Sequence, residues 1–280
     1  MKVLLNYANQ SYQALQQRNS STGREVAGFD QVLSYGPTDI DRPFLARNEK
    51  ILSQIRGNGY WLWKPYFIEK TLRTLDEGDI LFYCDAGSHF IGSIQPLIDA
   101  YLRAEQAVMT FELPLIEKVW TKRDAFLRLN CDRPEFANSP QRLASFSLWR
   151  KSPLALSFAQ EWLALAQDEA LLTDLPNPSG AANYEGFKEH RHDQSLFSLL
   201  AKKHGLPAWR DPSQYGNRVR RKYPQSNYRQ IIAHTRNRVT PPVWACVKRE
   251  FSRLGAQLGK WGAALIDRGQ ERQAELVRHS

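Results

Sequence analysis

Cysteines and long apolar runs are scarce in this sequence of 280 residues. The three cysteines, Cys84, Cys131 and Cys246, lie far apart and form neither a CxxC pair nor a Cys/His metal spacing. Their number and spacing argue against a disulfide framework and a zinc module and favour a reducing compartment. No run of about 18 apolar residues occurs, and the apolar start is too short for a signal peptide. We therefore expect a cytoplasmic protein, or one associated with a membrane on its cytoplasmic face.

Acidic residues are scarce in one part of the chain, although the composition as a whole is that of a globular protein. The net charge is +9, and ten basic residues stand against one acid, Asp211, between Lys202 and Arg238. A positive field of this kind attracts phosphates, nucleic acid or anionic lipid. A solvated basic face is the alternative explanation.

Segments with strand character alternate with segments of helical spacing. Strands are predicted at 3–7, 29–35, 80–83, 107–111 and 143–149, with a short last strand from 231. Helices are predicted at 10–18, packed by Tyr12 and Leu15, and at 44–56, 59–66, 94–105 and 153–167. This alternation predicts an α/β fold in which helices flank a mostly parallel, mixed central sheet.

Asp85 follows directly after the short apolar segment 80–83 and Cys84. Open α/β sheets bind ligands at the carboxyl ends of their strands, so Asp85 is the first candidate for chemistry. Arg236 and Arg238 carry guanidinium groups, each of which can form two parallel hydrogen bonds to phosphate oxygens. A carboxylate together with an imidazole can hold Mn²⁺ or Mg²⁺. Together such groups suit a nucleotide diphosphate.

A loop of turn-forming residues at 175–183 precedes a cluster of His, Asp and Gln at 189–195. Loops of this composition in a compact chain are typically lids or binding loops. Asp193 is well placed as the N-cap of a helix through Leu200, which Lys202, Lys203 and Gly205 would close. Capping is therefore the structural alternative to a role for Asp193 in catalysis.

The last residues repeat apolar side chains at steps of three and four, which predicts an amphipathic helix with a basic surface. We place the domain boundary after Pro242, with the domain at 1–242 and the helix at 243–280. Three interpretations of the helix are open: it docks on its own domain, on a helical partner, or on a membrane surface.

Four segments occur in a fixed order along the chain: GYWLWKPY at 59–66, GDILFYCDAG at 78–87, HRHDQS at 190–195 and IIAHTR at 231–236. In this order they resemble bacterial sugar-nucleotide-dependent glycosyltransferases of the GT-A fold, especially the capsular-polysaccharide and Asp-x-Asp transferases. The resemblance covers about residues 2 to 238. It implies a GT-A-like domain that binds a nucleotide-sugar donor and a glycan or lipid-linked acceptor.

In such enzymes an Asp-x-Asp at the end of a central strand holds a divalent metal and the donor ribose and diphosphate. Asp85 matches the first acid, whereas Gly87 stands where the second would be. Losing one anionic ligand makes a site for Mn²⁺ or Mg²⁺ poorer, so the resemblance leaves the metal in doubt. The basic cluster could neutralise the leaving diphosphate instead.

The resemblance also assigns donor-binding residues outside this strand. Lys64 matches a basic residue on the preceding helix that holds the donor, with Trp61 beside it. Trp61 and Trp63 are two apart on that helix and cannot share one face, so we expect one to pack in the core and the other to line the sugar pocket. His234 matches a late His that contacts metal or diphosphate, followed by Arg236 and Arg238; a core histidine on a strand is the alternative.

The segment around Asp193 resembles an Asp-Gln stretch that contacts the donor sugar or an acceptor hydroxyl. Asp193 is then the general base of an inverting reaction, or it positions the sugar in a retaining one. His192 and Gln194 flank it as donor contacts. By analogy of fold, Tyr7 and Ala8 at the end of the first strand frame the nucleobase.

The sequence thus predicts a hexosyltransferase acting in bacterial surface polysaccharide synthesis. A nucleic-acid-binding protein is the first rival, based on the basic cluster and the aromatic residues interleaved with it, Trp209, Tyr215, Tyr223 and Tyr228. No motif of defined spacing supports that rival, so we do not expect nucleic acid as a partner. A noncatalytic scaffold with a degenerate sugar-nucleotide site is the second.

Overall fold

A computed structural model describes residues 1–104, 106–217 and 223–234 as strands and helices that alternate along the chain. The strands are β1 Lys2–Tyr7, β2 Gln31–Tyr35, β3 Ile80–Cys84, β4 Ser88–Phe90, β5 Val108–Ile116, β6 Pro140–Arg150, β7 Ala208–Trp209 and β8 Ile232–His234. The helices are α1 Gln13–Thr22, α2 Arg42–Arg47, α3 Glu49–Leu52, α4 Gly57–Tyr60, α5 Trp63–Thr74, α6 Gln95–Leu102, α7 Glu117–Trp120, α8 Arg123–Arg128, α9 Pro134–Ala137, α10 Pro153–Ala166, α11 Glu169–Leu172 and α12 Asp193–Lys203.

The central sheet has six strands in the order β2-β1-β3-β6-β5-β7. β1 pairs in parallel with β2 and β3, and β5 pairs in parallel with β7. β6 runs antiparallel to both β3 and β5, and β4 and β8 form a separate antiparallel pair. The predicted α/β class, with a mixed central sheet flanked by helices, is confirmed. The predicted boundary after 242 and the helix at 243–280 lie outside the described residues and stay predictions.

Both faces of the central strands are buried because helices cover the sheet on each side. Val3, Leu5 and Tyr83 face one core cluster, which includes side chains of α5, α10 and α12. Leu4 and Phe82 face the other, which includes side chains of α6 and β8. Residues two apart on a strand share a face. Asp85, two residues after Tyr83, is therefore directed toward the layer of α5 and α12.

Within the described ranges, no helix is both long and apolar enough to cross a bilayer.

The predicted helix at 59–66 is wrong in its first half. Positive φ angles run without interruption from Gly57 to Trp61, so α4 is a single turn of irregular backbone rather than a regular α-helix, and α5 begins only at Trp63. A Cβ on Gly59 would approach the Cα of Leu52 to 2.8 Å, so this turn requires glycine there. The aromatic residues of this segment suggest a helix, whereas Gly57 and Gly59 allow the positive φ angles that the turn requires.

The predicted packing of the first helix through Tyr12 is also wrong. Tyr12 is 54% exposed, and the residues that α1 buries are Asn19 and Ser20. Leu15 is half-buried. The helix therefore meets the sheet through polar side chains, which form hydrogen bonds near the end of β3 described below.

Candidate functional site

Three charged side chains meet at the carboxyl end of β3. The Lys64 ammonium lies 2.7 Å from Asp193 Oδ2 and 3.5 Å from Asp85 Oδ1. The side chains of Lys64 and Asp193 are only 4% and 6% exposed, whereas that of Asp85 is 32% exposed. Asp85 is therefore the member of this triad, Lys64–Asp85–Asp193, that is open to a ligand.

Each member of the triad is placed by a different element. Asp85 follows β3, and its backbone N–H donates to Ser145 O on the neighbouring strand β6 at 2.9 Å. Lys64 is the second residue of α5, and Asp193 is the first residue of α12. The predicted N-cap role of Asp193 is wrong, because His192 occupies the N-cap position. The Asp193 carboxylate instead faces Lys64, the nearest cation in this buried layer.

Tyr83 is a further site residue that the sequence did not reveal to us. Its hydroxyl donates to Asp85 Oδ1 at 2.5 Å, and the Lys64 ammonium lies 5.3 Å from the centre of its ring. Burial raises the pKa of Tyr83 well above its ordinary value, and the Asp85 charge adds to this, so the phenol keeps its proton. The i, i+2 spacing of Tyr83 and Asp85 was the available signal.

Burial and charge act in opposite directions on the triad. Burial raises the pKa of Asp193 to about 6, against the attraction of Lys64. Burial also opposes the charge on Lys64, but Asp193 and Asp85 outweigh it and raise the pKa of the ammonium above its ordinary value. Lys64 therefore stays charged at neutral pH, and Asp193 is the member of the triad whose pKa lies closest to neutral pH.

A buried amide network fixes the turn after Asp85. Asn19 Nδ2 donates to Ser88 O at 2.9 Å and to Asp85 O at 3.5 Å, and Asn19 Oδ1 accepts from Asn6 Nδ2 at 2.8 Å. Asn6 and Asn19 are fully buried. Because amide donors are aimed at the carbonyls on both sides of the turn, α1 sets the direction in which the Asp85 carboxylate leaves β3.

Strained backbone surrounds the helix start at Asp193. His192 has φ 50°, in the left-handed region, and its ring stacks on Trp61 at 5.4 Å between ring centroids. The Tyr60 ring meets the same imidazole edge-on at 4.8 Å. Burial lowers the pKa of His192 to about 4, so the ring is neutral and its Nδ1–H donates to Leu172 O at 2.9 Å. Strain of this kind is common at functional sites.

Several of the other predicted donor contacts are buried or half-buried side chains. Trp63 packs in the core against Tyr7, with ring centroids 3.8 Å apart, which confirms that one of the two indoles is a core residue. Tyr7 and Ala8 are 5% and 7% exposed. Gln194 is half-buried and bonds to Gln141 Oε1 at 2.9 Å through its amide N–H. Their predicted contacts with a donor stay predictions.

The predicted metal contacts do not form a complete metal site in the part of the chain that the structure describes. Asp85 already accepts from Tyr83 and pairs with Lys64, and His234 Nδ1 lies 3.0 Å from Ser88 Oγ. Among the described residues, no group of three His, Cys, Asp or Glu side chains could hold a metal ion. The described residues therefore do not fit a Mn²⁺ or Mg²⁺ ion, and we derive no step through a metal.

Gly87 offers a direct test of the incomplete Asp-x-Asp. A Cβ at this position would meet nothing within 4 Å, and its φ is not positive, so a side chain fits without strain. We expect Gly87→Asp to fold with a stability within about 0.5 kcal/mol of wild type and to gain Mn²⁺ affinity. Isothermal titration with Mn²⁺ measures this, with the uncharged Gly87→Asn as the matched control. Equal Mn²⁺ binding by both variants would contradict the expectation.

Much of the described basic cluster is engaged inside the protein. Lys202 pairs with the buried Glu117 at 2.5 Å, and the guanidinium of Arg210 is buried over the Tyr228 ring at 4.6 Å. Arg229 is exposed. Positions 218–222, and also Arg236 and Arg238, lie outside the described residues. The cluster at 202–238 is thus not a uniform basic surface.

The chain is similar to known proteins in its backbone rather than in its sequence. No family model matches the sequence, and no curated protein matches it significantly. Three solved structures are similar to 84–86% of the chain: mouse xyloside xylosyltransferase 1 in its apo form (12% identity, TM-score 0.46), the apo bifunctional glycosyltransferase WbbM (8%, 0.49) and the apo-form glycosyltransferase GlyE of Streptococcus pneumoniae TIGR4 (12%, 0.41). The match spans 99% of the mouse chain but only 45% of WbbM and 55% of GlyE. Likenesses of this size assign no activity, so the side chains must carry that argument.

Proposed function

We propose that the chain is a glycosyltransferase that moves a hexose-type sugar from a nucleotide-diphosphate sugar to a glycan or lipid-linked acceptor. The observation that carries the proposal is the triad, two carboxylates held by one buried lysine at the carboxyl end of a central strand. Strand ends of this kind are where α/β sheets bind ligands. Surface polysaccharide synthesis in a bacterium is the role that the sequence resemblance suggests.

The charge of the triad points to the sugar end of the donor. With both carboxylates ionised, the charges of Asp85, Asp193 and Lys64 sum to minus one. Such a site repels a diphosphate but favours sugar hydroxyls, and it stabilises the positive charge that develops on a sugar ring as its glycosidic bond breaks. The diphosphate then needs cations from elsewhere, and Arg236 and Arg238 remain the predicted source.

The two carboxylates have different roles in this proposal. Asp85 is the exposed one, so it contacts the sugar, and Tyr83 and Lys64 hold its orientation. Asp193 acts through Lys64 as a positioning residue, since it is nearly buried and paired with the ammonium at 2.7 Å. Of the two roles that the sequence leaves open for Asp193, general base in an inverting reaction or positioning the sugar in a retaining one, this proposal is nearer to the second, and it suits both kinds of reaction.

The nucleic-acid alternative loses part of its basis within the described residues. Trp209, Tyr223 and Tyr228 are 3%, 7% and 5% exposed, so their rings offer no stacking surface for bases. Of the four interleaved aromatic residues only Tyr215, at 48%, is exposed. Among the described residues, Tyr215 is therefore the one aromatic side chain of this set that supports the nucleic-acid alternative.

A donor screen tests the proposal. We expect one of the UDP-, GDP- or CMP-sugars to raise the melting temperature of the full chain and to be hydrolysed slowly without acceptor, with or without Mn²⁺. Binding to the folded state alone raises apparent stability by about 2.7 kcal/mol at a hundredfold excess over Kd. Asp85→Ala should abolish both effects and remain folded, whereas Asp76→Ala, an exposed acid preceding β3, should change neither. Indifference to every donor would remove the proposal's basis.

A further inference from the structure

A cleft of 240 Å³ lies between Lys122 and the loop that leads to α12. Its lining includes Thr173, Asp174, Lys188 and His190. Asp174 connects the cleft to the residues around the start of α12, because the Tyr60 hydroxyl, whose ring contacts His192, donates to Asp174 Oδ2 at 2.9 Å. Asp174 Oδ1 also lies 3.8 Å from His192 Nε2, and His192 immediately precedes Asp193. The cleft is therefore connected to the start of α12 through the contacts of Asp174 with Tyr60 and His192.

The most unusual lining residue is Lys122, which is 3% exposed. Its ammonium donates to two backbone carbonyls, Thr173 O at 2.8 Å and Leu175 O at 3.3 Å. Both carbonyls belong to residues that line the cleft, so the charge sits against its wall. Burial lowers the pKa of Lys122 to about 8, partly offset by surrounding acids, so most molecules carry the charge at neutral pH.

The acids near Lys122 are engaged with other partners. Asp124 accepts from the backbone N–H of Ser179 at 3.1 Å, and Asp168 accepts from the backbone of α11. Asp174 pairs with Arg56 at 2.8 Å. Among the described residues no carboxylate lies within 4.0 Å of the Lys122 ammonium. A buried charge with only carbonyl partners is costly, and it suits a site that receives an anion.

The rim of the cleft adds a second cation. Lys188 is exposed and has no carboxylate within 4.0 Å in the part of the chain that the structure describes; its ammonium lies 5.6 Å from the Trp120 ring. Glu189, the other acid of the lining, pairs with Arg191 at 3.2 Å and with Arg56 at 3.5 Å. The charge of the cleft that lacks a close counter-charge is therefore positive.

We propose that this cleft binds an anionic group of the acceptor, a carboxylate or a phosphate carried on a sugar, against Lys122 and Lys188. As an acceptor site the cleft rests on the proposed function, whereas anion binding does not. Its volume lies below the roughly 300 Å³ at which pockets for larger ligands begin, so it fits one sugar unit rather than a chain. Because Asp174 of the lining contacts His192, the residue before Asp193, an acceptor bound in the cleft would lie on the side of α12 from which Asp193 extends.

Direct binding measured without any donor tests the proposal on the full chain. Glucuronate and glucose 6-phosphate are the anionic probes, methyl glucoside is the neutral one, and inorganic phosphate is an anion without a sugar. We expect one of the two anionic sugars to bind at least tenfold more tightly than methyl glucoside and than inorganic phosphate. Which of the two binds distinguishes a carboxylate from a phosphate. Equal affinity for the neutral sugar, or no binding of either anionic sugar, would overturn the proposal.

Variants locate the site. Lys122→Gln should lower the affinity for the anionic sugar at least tenfold, and Lys188→Glu, an exposed change that leaves the core untouched, should do the same even if Lys122→Gln fails to fold. Lys50→Glu on the exposed face of α3 is the matched control and should bind as wild type does. Wild-type affinity in Lys188→Glu would sink the idea. Donor hydrolysis without acceptor, unchanged in Lys188→Glu, separates failure of the cleft from failure of the proposed function.

Discussion

Replacing Lys64 with methionine is expected to lower the free energy of unfolding by about 3–5 kcal/mol at pH 8. The substitution leaves Asp85 and Asp193 facing each other without the ammonium that lies 3.5 Å and 2.7 Å from them. A buried carboxylate that loses its partner keeps its desolvation cost without compensation. Urea denaturation of both proteins measures the difference. We also expect acceptor-independent donor hydrolysis to be lost, because only the Tyr83 hydroxyl then holds the Asp85 carboxylate.

The same helix supplies the control. Lys70 is also on α5 and pairs with Asp41 at 2.9 Å, but its side chain is 33% exposed and that of Asp41 is 60% exposed. Lys70→Met should therefore cost less than about 1 kcal/mol, as exposed ion pairs do. Equal losses in Lys64→Met and Lys70→Met would show that the triad is no more than a surface interaction.

A double variant separates charge from packing in the triad. Lys64→Met combined with Asp193→Asn removes the ammonium and the carboxylate with which it pairs, so no uncompensated buried charge remains. Residues in direct contact are not additive, and we expect the double variant to recover most of the stability lost in Lys64→Met. Activity should not return, since Asp85 is still without its cation.

The strand that carries Asp85 could be predicted because its signals are local. β3 is a short apolar run that ends at a turn, and its burial on both faces follows from its composition. The meeting of Asp85 with Lys64 and Asp193 could be proposed only from a resemblance. The three lie on separate elements, and no periodicity in the sequence encodes which helix starts face which strand end.

The parts that the sequence did not reveal depend on tertiary contacts. The turn from Gly57 to Trp61 overlaps the helix predicted at 59–66: Gly57 and Gly59 permit its positive φ angles, but the contacts with Leu52 and His192 that hold it are tertiary. The cleft at Lys122 was indicated only in part: the loop 175–183 was predicted as a lid or binding loop and contributes to its lining, whereas the position of Lys122 against that loop depends on the fold. The Asn19 network was hidden for the same reason.

Asp85→Asn is expected to lower the rate of donor hydrolysis and of transfer by about 10²–10³. The amide keeps the size of the carboxylate but cannot stabilise positive charge on the sugar. Because the Asp85 side chain is 32% exposed, the variant should fold with nearly unchanged stability. Asp193→Asn should lower the same rates only about tenfold, since an amide oxygen still accepts from Lys64 while the charge is lost. Single-turnover kinetics at pH 7.5 compare the two.

The pH dependence distinguishes the roles further. The pKa of Asp193 is about 6 in the folded protein, above its ordinary 3.8, so the folded state binds this proton more tightly than the unfolded state does. The contribution to stability is then greatest below pH 4 and falls by about 3 kcal/mol as the pH rises to 6. The rate should rise with pH over the upper part of this window, as Asp193 ionises. Asp193→Asn should lack both dependences.

Comparing Asp193→Asn with Asp85→Asn shows whether Asp193 acts as a general base or as a positioning residue. A general base that takes the acceptor proton contributes about 10²–10⁴ to the rate, so Asp193→Asn would then be as damaging as Asp85→Asn or worse. A positioning residue loses less, and its loss should leave the affinity for donor close to that of wild type. The 6% exposure of Asp193 and its contact with Lys64 favour the second outcome. If Asp193→Asn proved the more damaging change, acceptor binding would have to open the layer that buries this carboxylate.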